Sequence, residues 1–290
     1  MSRQENKNIS DFINRSVVIL LCAGEGRRMK AITSNIPKPL LKVPSLNNKH
    51  IIEVNLENLK EIGFRNIFIV VGHLGSLINE YINSFNKKVQ TIYSKKEYKK
   101  GPLNSLLEVL NSQDFQAKMN ELHKEDFIFV MPGDTIFELE LLNVIIDQIN
   151  EFQIYLRKRP FIFYRLVKSN YSNNQNDKKK RLKNISCAII QEQEPFPLLK
   201  KIIQTDLNNF NSKQNIHQII PIIVFPIYFM KKILKREPSI RERTIKAFLN
   251  HVINKGEKIF ALEIVSEQNF YDIDEIEDLK LIRYKKKKGQ

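Results

Sequence analysis

The chain has 290 residues, 42% hydrophobic and 27% charged, an ordinary balance for a globular protein with room for one large α/β domain or two small ones. Its formal net charge of +15 admits nucleic acid, an anionic membrane or phosphorylated small molecules as partners. Two isolated cysteines exclude a disulfide framework, and five histidines without ligand spacing argue against zinc.

Residues 1–15 read as a flexible polar arm with no apolar stretch of the secretory-signal kind. Residues 17–21 form a continuous apolar run, as a central parallel strand requires. Residues 51–62 have helical spacing and stop at Gly63. Strands are predicted at 66–71 and 88–93, with a helix at 76–85 between them, and helices follow at 104–111 and 115–123. A fourth strand, 127–131, ends at Pro132-Gly133-Asp134 and precedes a helix over 138–150. This alternation predicts a parallel sheet with right-handed crossovers, whose ligands sit beyond the carboxyl ends of the strands. The second half adds strands at 161–167, 185–191, 219–225 and 258–265, and helices at 227–235 and 240–254, completing one sheet rather than a second domain. Residues 169–181 read as a polar, lysine-rich loop and 283–290 as a basic tail. Their lysine runs lack an aromatic RNA-binding signature, so nucleic acid is not expected. The run 219–230 is too short to span a bilayer and contains Pro221 and Pro226, so no membrane association and a cytoplasmic location are expected.

Ala23-Gly24-Glu25-Gly26-Arg27-Arg28-Met29 follows the first strand directly. Glycines 24 and 26 allow a tight turn whose N–H groups approach an anion. Arg28, and Lys38 in Pro37-Lys38-Pro39-Leu40-Leu41, add two cations. A dinucleotide fingerprint would need glycine where Met29 stands, and a P-loop would need Gly-Lys-Ser/Thr. For the glycines alone, an ordinary strand-to-helix turn with surface arginines remains the alternative. Asp134, a lone carboxylate at a strand end, suits either a hard Mg²⁺ ion or an N-cap or Asx turn. Asp274 and Glu277 have capping-box spacing, which assigns Asp274 to structure.

The pattern Ala-Gly-x-Gly-x-Arg-Met…Pro-Lys-Pro-Leu resembles the signature of the sugar-phosphate nucleotidyltransferases, the nucleoside-diphosphate-sugar pyrophosphorylases. The resemblance implies a single Rossmann-like α/β domain over 16–282, with a mainly parallel, mixed sheet flanked by helices. It implies transfer of a nucleoside monophosphate from a nucleoside triphosphate to a phosphorylated sugar or alcohol, with release of pyrophosphate and Mg²⁺ as cofactor. Ala23, Gly24, Glu25, Gly26 and Arg27 would hold the nucleotide, Arg28 and Lys38 would be catalytic, and Asp134 and Asp272 would be the metal ligands. Gly101-Pro102-Leu103-Asn104-Ser105-Leu106 stands where the family reads the base, which puts Gly101 and Asn104 at the nucleotide. Asn-Ser-Leu resembles cytidylyltransferases of phosphocholine-type substrates, and Gly-Pro-Leu resembles the molybdenum-cofactor guanylyltransferase, so the base stays open. The chain departs from the family at Glu275-Ile276, where Thr-Pro is usual, and at Glu194-Pro195, which lacks an intervening lysine. Lys168, Lys183 and Lys200 are the candidate substitutes. A non-catalytic regulatory or assembly subunit of the same fold is the alternative, and self-association is left open.

Overall fold

A computed structural model of the chain describes residues 12–85, 89–95, 97–124, 126–168, 184–206, 215–234, 241, 243–280 and 282. The predicted loop 169–181, Lys183, the basic tail and the start of the 240–254 helix lie outside the described residues. The chain runs β1 (Val17–Cys22), β2 (Lys42–Val43), β3 (Lys49–His50), α1 (Ile51–Ile62), β4 (Asn66–Val71), α2 (Gly75–Phe85) and β5 (Gln90–Tyr93). It continues through α3 (Pro102–Asn111), α4 (Gln113–Glu121), β6 (Phe127–Pro132), β7 (Thr135–Phe137) and α5 (Leu139–Leu156). The second half holds β8 (Phe161–Lys168), β9 (Asn184–Gln191), β10 (Leu198–Asp206), β11 (Asn215–Pro226), α6 (Ile227–Leu234), α7 (Ile245–Asn254), β12 (Phe260–Glu263) and β13 (Phe270–Asp272).

Nine strands form one sheet in the order β5-β4-β1-β6-β11-β8-β12-β10-β9. The first four are parallel to one another, as the alternating pattern predicts. From β11 onward the pairing changes: β11 is antiparallel to β6 and β8, β10 is antiparallel to β9 and β12, and only β12 with β8 is parallel. A further pair, β11 with β9, closes the last five strands on themselves. The sheet is therefore mixed, as expected, with its parallel pairing concentrated in the first half, and its second half closes into a barrel that an open Rossmann-like sheet does not have.

β1 lies at the centre, and its alternate residues supply two cores. Val18 and Leu20 pack under α1, α2 and α5, whereas Val17 and Ile19 pack under α3, α4, α6 and α7. Burial on both faces explains the uninterrupted apolar run. Residues 12–15 of the expected arm belong to the folded domain, since Phe12 and Ile13 are buried in the first core, with the Phe12 ring edge-on to Phe127 at 5.5 Å, and residues 1–11 lie outside the described residues. β10 is absent from the sequence reading because Lys200 and Lys201 break its alternation. Lys200 is the extra residue of a bulge, which lets both lysines face solvent while Leu199 and Ile202 stay buried.

The β6 turn is the tightest point of the frame. The N–H of Gly133 donates to the carbonyl of Leu21 at 3.0 Å, and a Cβ on Gly133 would lie 2.1 Å from Cys22 Sγ. Gly133→Ala should therefore destabilise the protein by about 1–3 kcal/mol through overpacking. In a Cys22→Ala background the same change should cost at least ~1 kcal/mol less, because the colliding sulfur is gone. Chemical denaturation of the four proteins reads this coupling, and strictly additive effects would contradict the contact.

Candidate active site

The glycine turn leaves β1 at Ala23 and is braced from two sides. The N–H of His73 donates to the Ala23 carbonyl at 3.1 Å, and the buried Thr33 hydroxyl donates to the carbonyls of Gly26 and Met29 at 3.0 and 3.1 Å. Gly26 is left-handed (φ 61°), and a Cβ there would meet Thr33 Cγ2 at 2.8 Å. Gly24 needs no such conformation. A Cβ at Gly24 would meet nothing within 4 Å and would project into open space, so the missing side chain leaves room for a ligand against the backbone.

This turn floors a cleft of about 760 Å³, into which Arg28, Lys38, Asp134, Asp272 and Asp274 also face. Lys38 is the only one of them deeply buried, its side chain 9% exposed, on a short helical turn with Pro37 before it and Pro39 inside it. Its ammonium lies 2.7 Å from Asp134 Oδ2 and 3.8 Å from Asp274 Oδ1. Arg28 Nη1 lies 2.5 Å from Asp274 Oδ2, on a side chain that is 64% exposed. Burial, the largest influence, works to lower the Lys38 pKa. The charge and hydrogen bond of Asp134, then the charges of Asp272 and Asp274, outweigh it and hold the pKa above its ordinary 10.5. Burial, with the charge of Asp134, pushes the Cys22 thiol far above its ordinary range, which leaves it an inert packing residue.

The carboxylates are brought together by a two-stranded ribbon that no sequence pattern announced. β7 pairs antiparallel with β13, which sets Thr135 opposite Asp272, and the Thr135 hydroxyl donates to Asp272 Oδ1 at 3.3 Å. Asparagines on α1 satisfy the ribbon's outer carbonyls: Asn55 Nδ2 donates to Thr135 O and Asn58 Nδ2 to Phe137 O, each at 2.8 Å. Glu138, read only as the start of a helix, accepts from the Asn269 N–H and the Tyr271 hydroxyl, each at 2.8 Å. It thereby clamps the strand that carries Asp272. Asp274 does not act as a cap. The N–H groups of Asp274 and Glu275 donate to Asp278 Oδ2, each at 2.8 Å, so Asp278 closes this turn and the Asp274 carboxylate is left to face Arg28 and Lys38. The capping-box expectation fails because a five-residue 3₁₀ turn, Ile276–Lys280, stands where an α-helix was expected.

The remaining predicted residues divide. Ala23, Gly24 and Gly26 line the cleft. Glu25 and Arg27 pair with each other at 2.9 Å outside it, and Arg27 borders a smaller hollow shared with Arg28, Lys38 and Asp274. Gly101 and Asn104 shape their loop without lining the cleft. A Cβ on left-handed Gly101 (φ 131°) would collide with the Arg243 carbonyl at 2.4 Å, and Asn104 Nδ2 donates to Glu97 at 2.9 Å. Tyr98, Pro102 and Ser105 face the cleft instead. No group of three or more His, Cys, Asp or Glu side chains able to hold a metal occurs among the described residues. Asp134 and Asp272 are a pair of hard oxygen donors on one cleft wall.

Residues 18–167, from β1 to the end of β8, match the MobA-like NTP transferase domain. The chain belongs to that family. Among characterised relatives of this MobA-like protein, the CTP:phosphoglutamine cytidylyltransferase of Campylobacter jejuni is 24% identical over 263 residues, covering 91% of this chain and 97% of that one. The D-glycero-alpha-D-manno-heptose 1-phosphate guanylyltransferase of the same organism is 28% identical over 138 residues, 48% of this chain and 55% of the relative, so that alignment spans about half its length. The fold is similar to that of the CTP:phosphocholine cytidylyltransferase of Streptococcus pneumoniae, with a TM-score of 0.57 at 19% identity, covering 92% of this chain and 97% of that one.

The raised Lys38 pKa has a direct consequence. Since the folded value lies above the unfolded one, the stability it contributes is complete below about pH 10 and is lost as the pH rises through the folded value. The stability gap between wild type and Lys38→Met, measured by denaturant titration from pH 8 to 12, should stay level and then narrow above pH 10.5. A gap that widens over that range would contradict the assignment.

Proposed function

We propose that this protein is a Mg²⁺-dependent nucleotidyltransferase that moves a nucleoside monophosphate from a nucleoside triphosphate to a phosphorylated sugar or alcohol. The observation that carries this reading is the charge pattern at the cleft: two cations, Arg28 and Lys38, facing three carboxylates, Asp134, Asp272 and Asp274, beside an uncovered glycine turn. Asp134 and Asp272 present carboxylate oxygens on one cleft wall, the hard donors that a divalent hard cation prefers. Asp134 and Asp272 would hold Mg²⁺, which when bound offsets negative charge on the phosphates of the nucleotide.

The chain's own groups then divide the work. The turn from Ala23 to Gly26 offers backbone N–H groups to the triphosphate. An oxygen of the acceptor's phosphate bonds to the α-phosphorus, the bond from that phosphorus to the α,β-bridging oxygen breaks, and the electron pair leaves with pyrophosphate. The attacking oxygen is already anionic, so no base is required and no proton moves. Catalysis rests on alignment and charge. Lys38, fixed by burial and by Asp134, presents a permanent ammonium. Arg28 is exposed and held by one carboxylate, so it can turn from Asp274 to the polyphosphate at little cost. The relatives named above, whose names give phosphorylated small molecules as acceptors, support the same reaction class. Two buried free thiols, Cys22 and Cys187, suit the reducing cytoplasm, and no helix among the described residues is long and apolar enough to cross a membrane.

The test compares variants by pyrophosphate release and by melting temperature. Arg28→Lys should melt within ~0.5 kcal/mol of wild type yet lose on the order of 10²–10³ in turnover. Asp272→Asn should raise the Mg²⁺ concentration for half-maximal rate about 10-fold or more, whereas Asp274→Asn should shift it far less. Wild-type turnover in Arg28→Lys would remove that residue from catalysis, and the reverse order of the two aspartates would exchange their roles.

A further inference from the structure

Beyond the phosphate-handling end, the same cleft runs on between the closed strands and α7, and its lining changes character. The described residues that β8 to β11 and α7 contribute are aliphatic or neutral polar, with one exception. Ile202, Ile219 and Ile245 contribute apolar lining, while Gln204 and Gln218 supply amides, Gln218 with its Oε1 already accepting from Arg165 Nε at 2.9 Å. The register sets Gln204 opposite Ser186 and Gln218 opposite Cys187 on adjacent strands. The exception is Lys246, half-buried and the only charged residue those elements bring to the cleft among the described residues.

Lys246 differs from the other cleft cations. Arg28 and Lys38 are both held by carboxylates, whereas Lys246 has no hydrogen bond or ion pair to any described residue. It sits in the first turn of α7, which holds no acidic residue, where a cation is electrostatically disfavoured. A disfavoured charge without a compensating partner is the kind of local inconsistency expected at a functional position. Its backbone is well anchored. Asn250 exchanges two hydrogen bonds with the backbone of Ile202, at 2.7 and 2.9 Å, fixing α7 on β10. The Arg243 carbonyl just before the helix accepts from the Leu103 N–H at 3.1 Å, fixing it against α3. Of the lysines named from sequence, Lys200 is exposed on its bulge and does not line the cleft, and Lys183 and the side chain of Lys168 lie outside the described residues.

We propose that Lys246 is the cation that binds the acceptor's phosphate, with the organic part of that phosphomonoester lying against Ile202, Ile219 and Ile245 and hydrogen-bonded by Gln204 and Gln218. This assignment rests on the transferase reading above and supplies the specificity residue for its second substrate. An ammonium on this side holds one phosphate in place while Arg28 and Lys38 remain available for the triphosphate.

The experiment measures binding and turnover separately in wild type, Lys246→Gln and Lys246→Arg. The probes are glucose 1-phosphate, glycerol 3-phosphate and phosphocholine as acceptors, and the four common nucleoside triphosphates, with calorimetry for affinity and pyrophosphate release for rate. Lys246→Gln should weaken the best-binding phosphomonoester by about 10–100-fold, the cost of one charge-assisted contact. Its triphosphate affinity should change less than ~2-fold and its melting temperature should not fall, since the lost charge was disfavoured in the helix. Lys246→Arg should recover part of the loss, which a purely structural role would not produce. Unchanged ester affinity in Lys246→Gln, an equal loss of triphosphate affinity, or no ester binding to wild type would each overturn the proposal. A wild type that binds an ester through Lys246 but releases no pyrophosphate with any triphosphate would uphold this subsite and sink the transferase reading.

Discussion

The buried ammonium of Lys38 constrains everything around it. A charge taken out of water needs partners in good geometry, and here Asp134 at 2.7 Å and Asp274 at 3.8 Å flank the nitrogen while the charge of Asp272 adds to theirs. Those carboxylates come from distant parts of the chain: Asp134 from the end of a central strand, Asp272 and Asp274 from a segment more than a hundred residues later. They can meet only because β6 runs parallel to β1 at the sheet centre, Gly133 packs against Cys22 without a side chain, and the β7–β13 ribbon returns the C-terminal segment to the same point. The ion pair is thus a product of the frame. On the proposed function, its value lies in holding charge where a polyphosphate can exchange for it.

The two halves of the sheet carry different duties. The parallel half ends in turns whose backbone is braced by His73 and Thr33 and whose Lys38 ammonium is held in place by burial and by Asp134. The closed half offers a larger, mostly neutral surface, suited to recognising a variable organic group. α7 joins the two, tied to α3 through the Arg243 carbonyl and to β10 through Asn250.

Much of the first half was legible from the sequence because its signals are local. An apolar run such as 17–21 permits little but a strand buried on both faces, and Gly26, Arg28 and Asp134 lie within a few residues of strand ends that periodicity locates, whereas Lys38 was legible only through its Pro-Lys-Pro-Leu motif. What the sequence hid is of two kinds. One is pairing between distant segments: β7 and β13 are three residues each, too short for any periodic signal, yet they set Asp272 beside Asp134. The other is polar residues that act through the backbone. Asn55, Glu138 and Asp278 look like surface positions in a row of letters, but each satisfies main-chain groups of the site. Gly101 and Asn104 show the converse, since a position matched to a motif can build a loop while its neighbours Pro102 and Ser105 face the cleft.

The central claim is a single displacement at the α-phosphorus, driven by fixed charge and needing no base. Phosphorus NMR of the full-length protein with Mg²⁺, each of the four common nucleoside triphosphates and a panel of phosphomonoesters reads both products at once. The account predicts that, for at least one pair, pyrophosphate and a new diphosphodiester appear in equal amounts as the triphosphate disappears. Triphosphate that binds tightly and survives unchanged with every acceptor, or is hydrolysed without forming the diester, would contradict it.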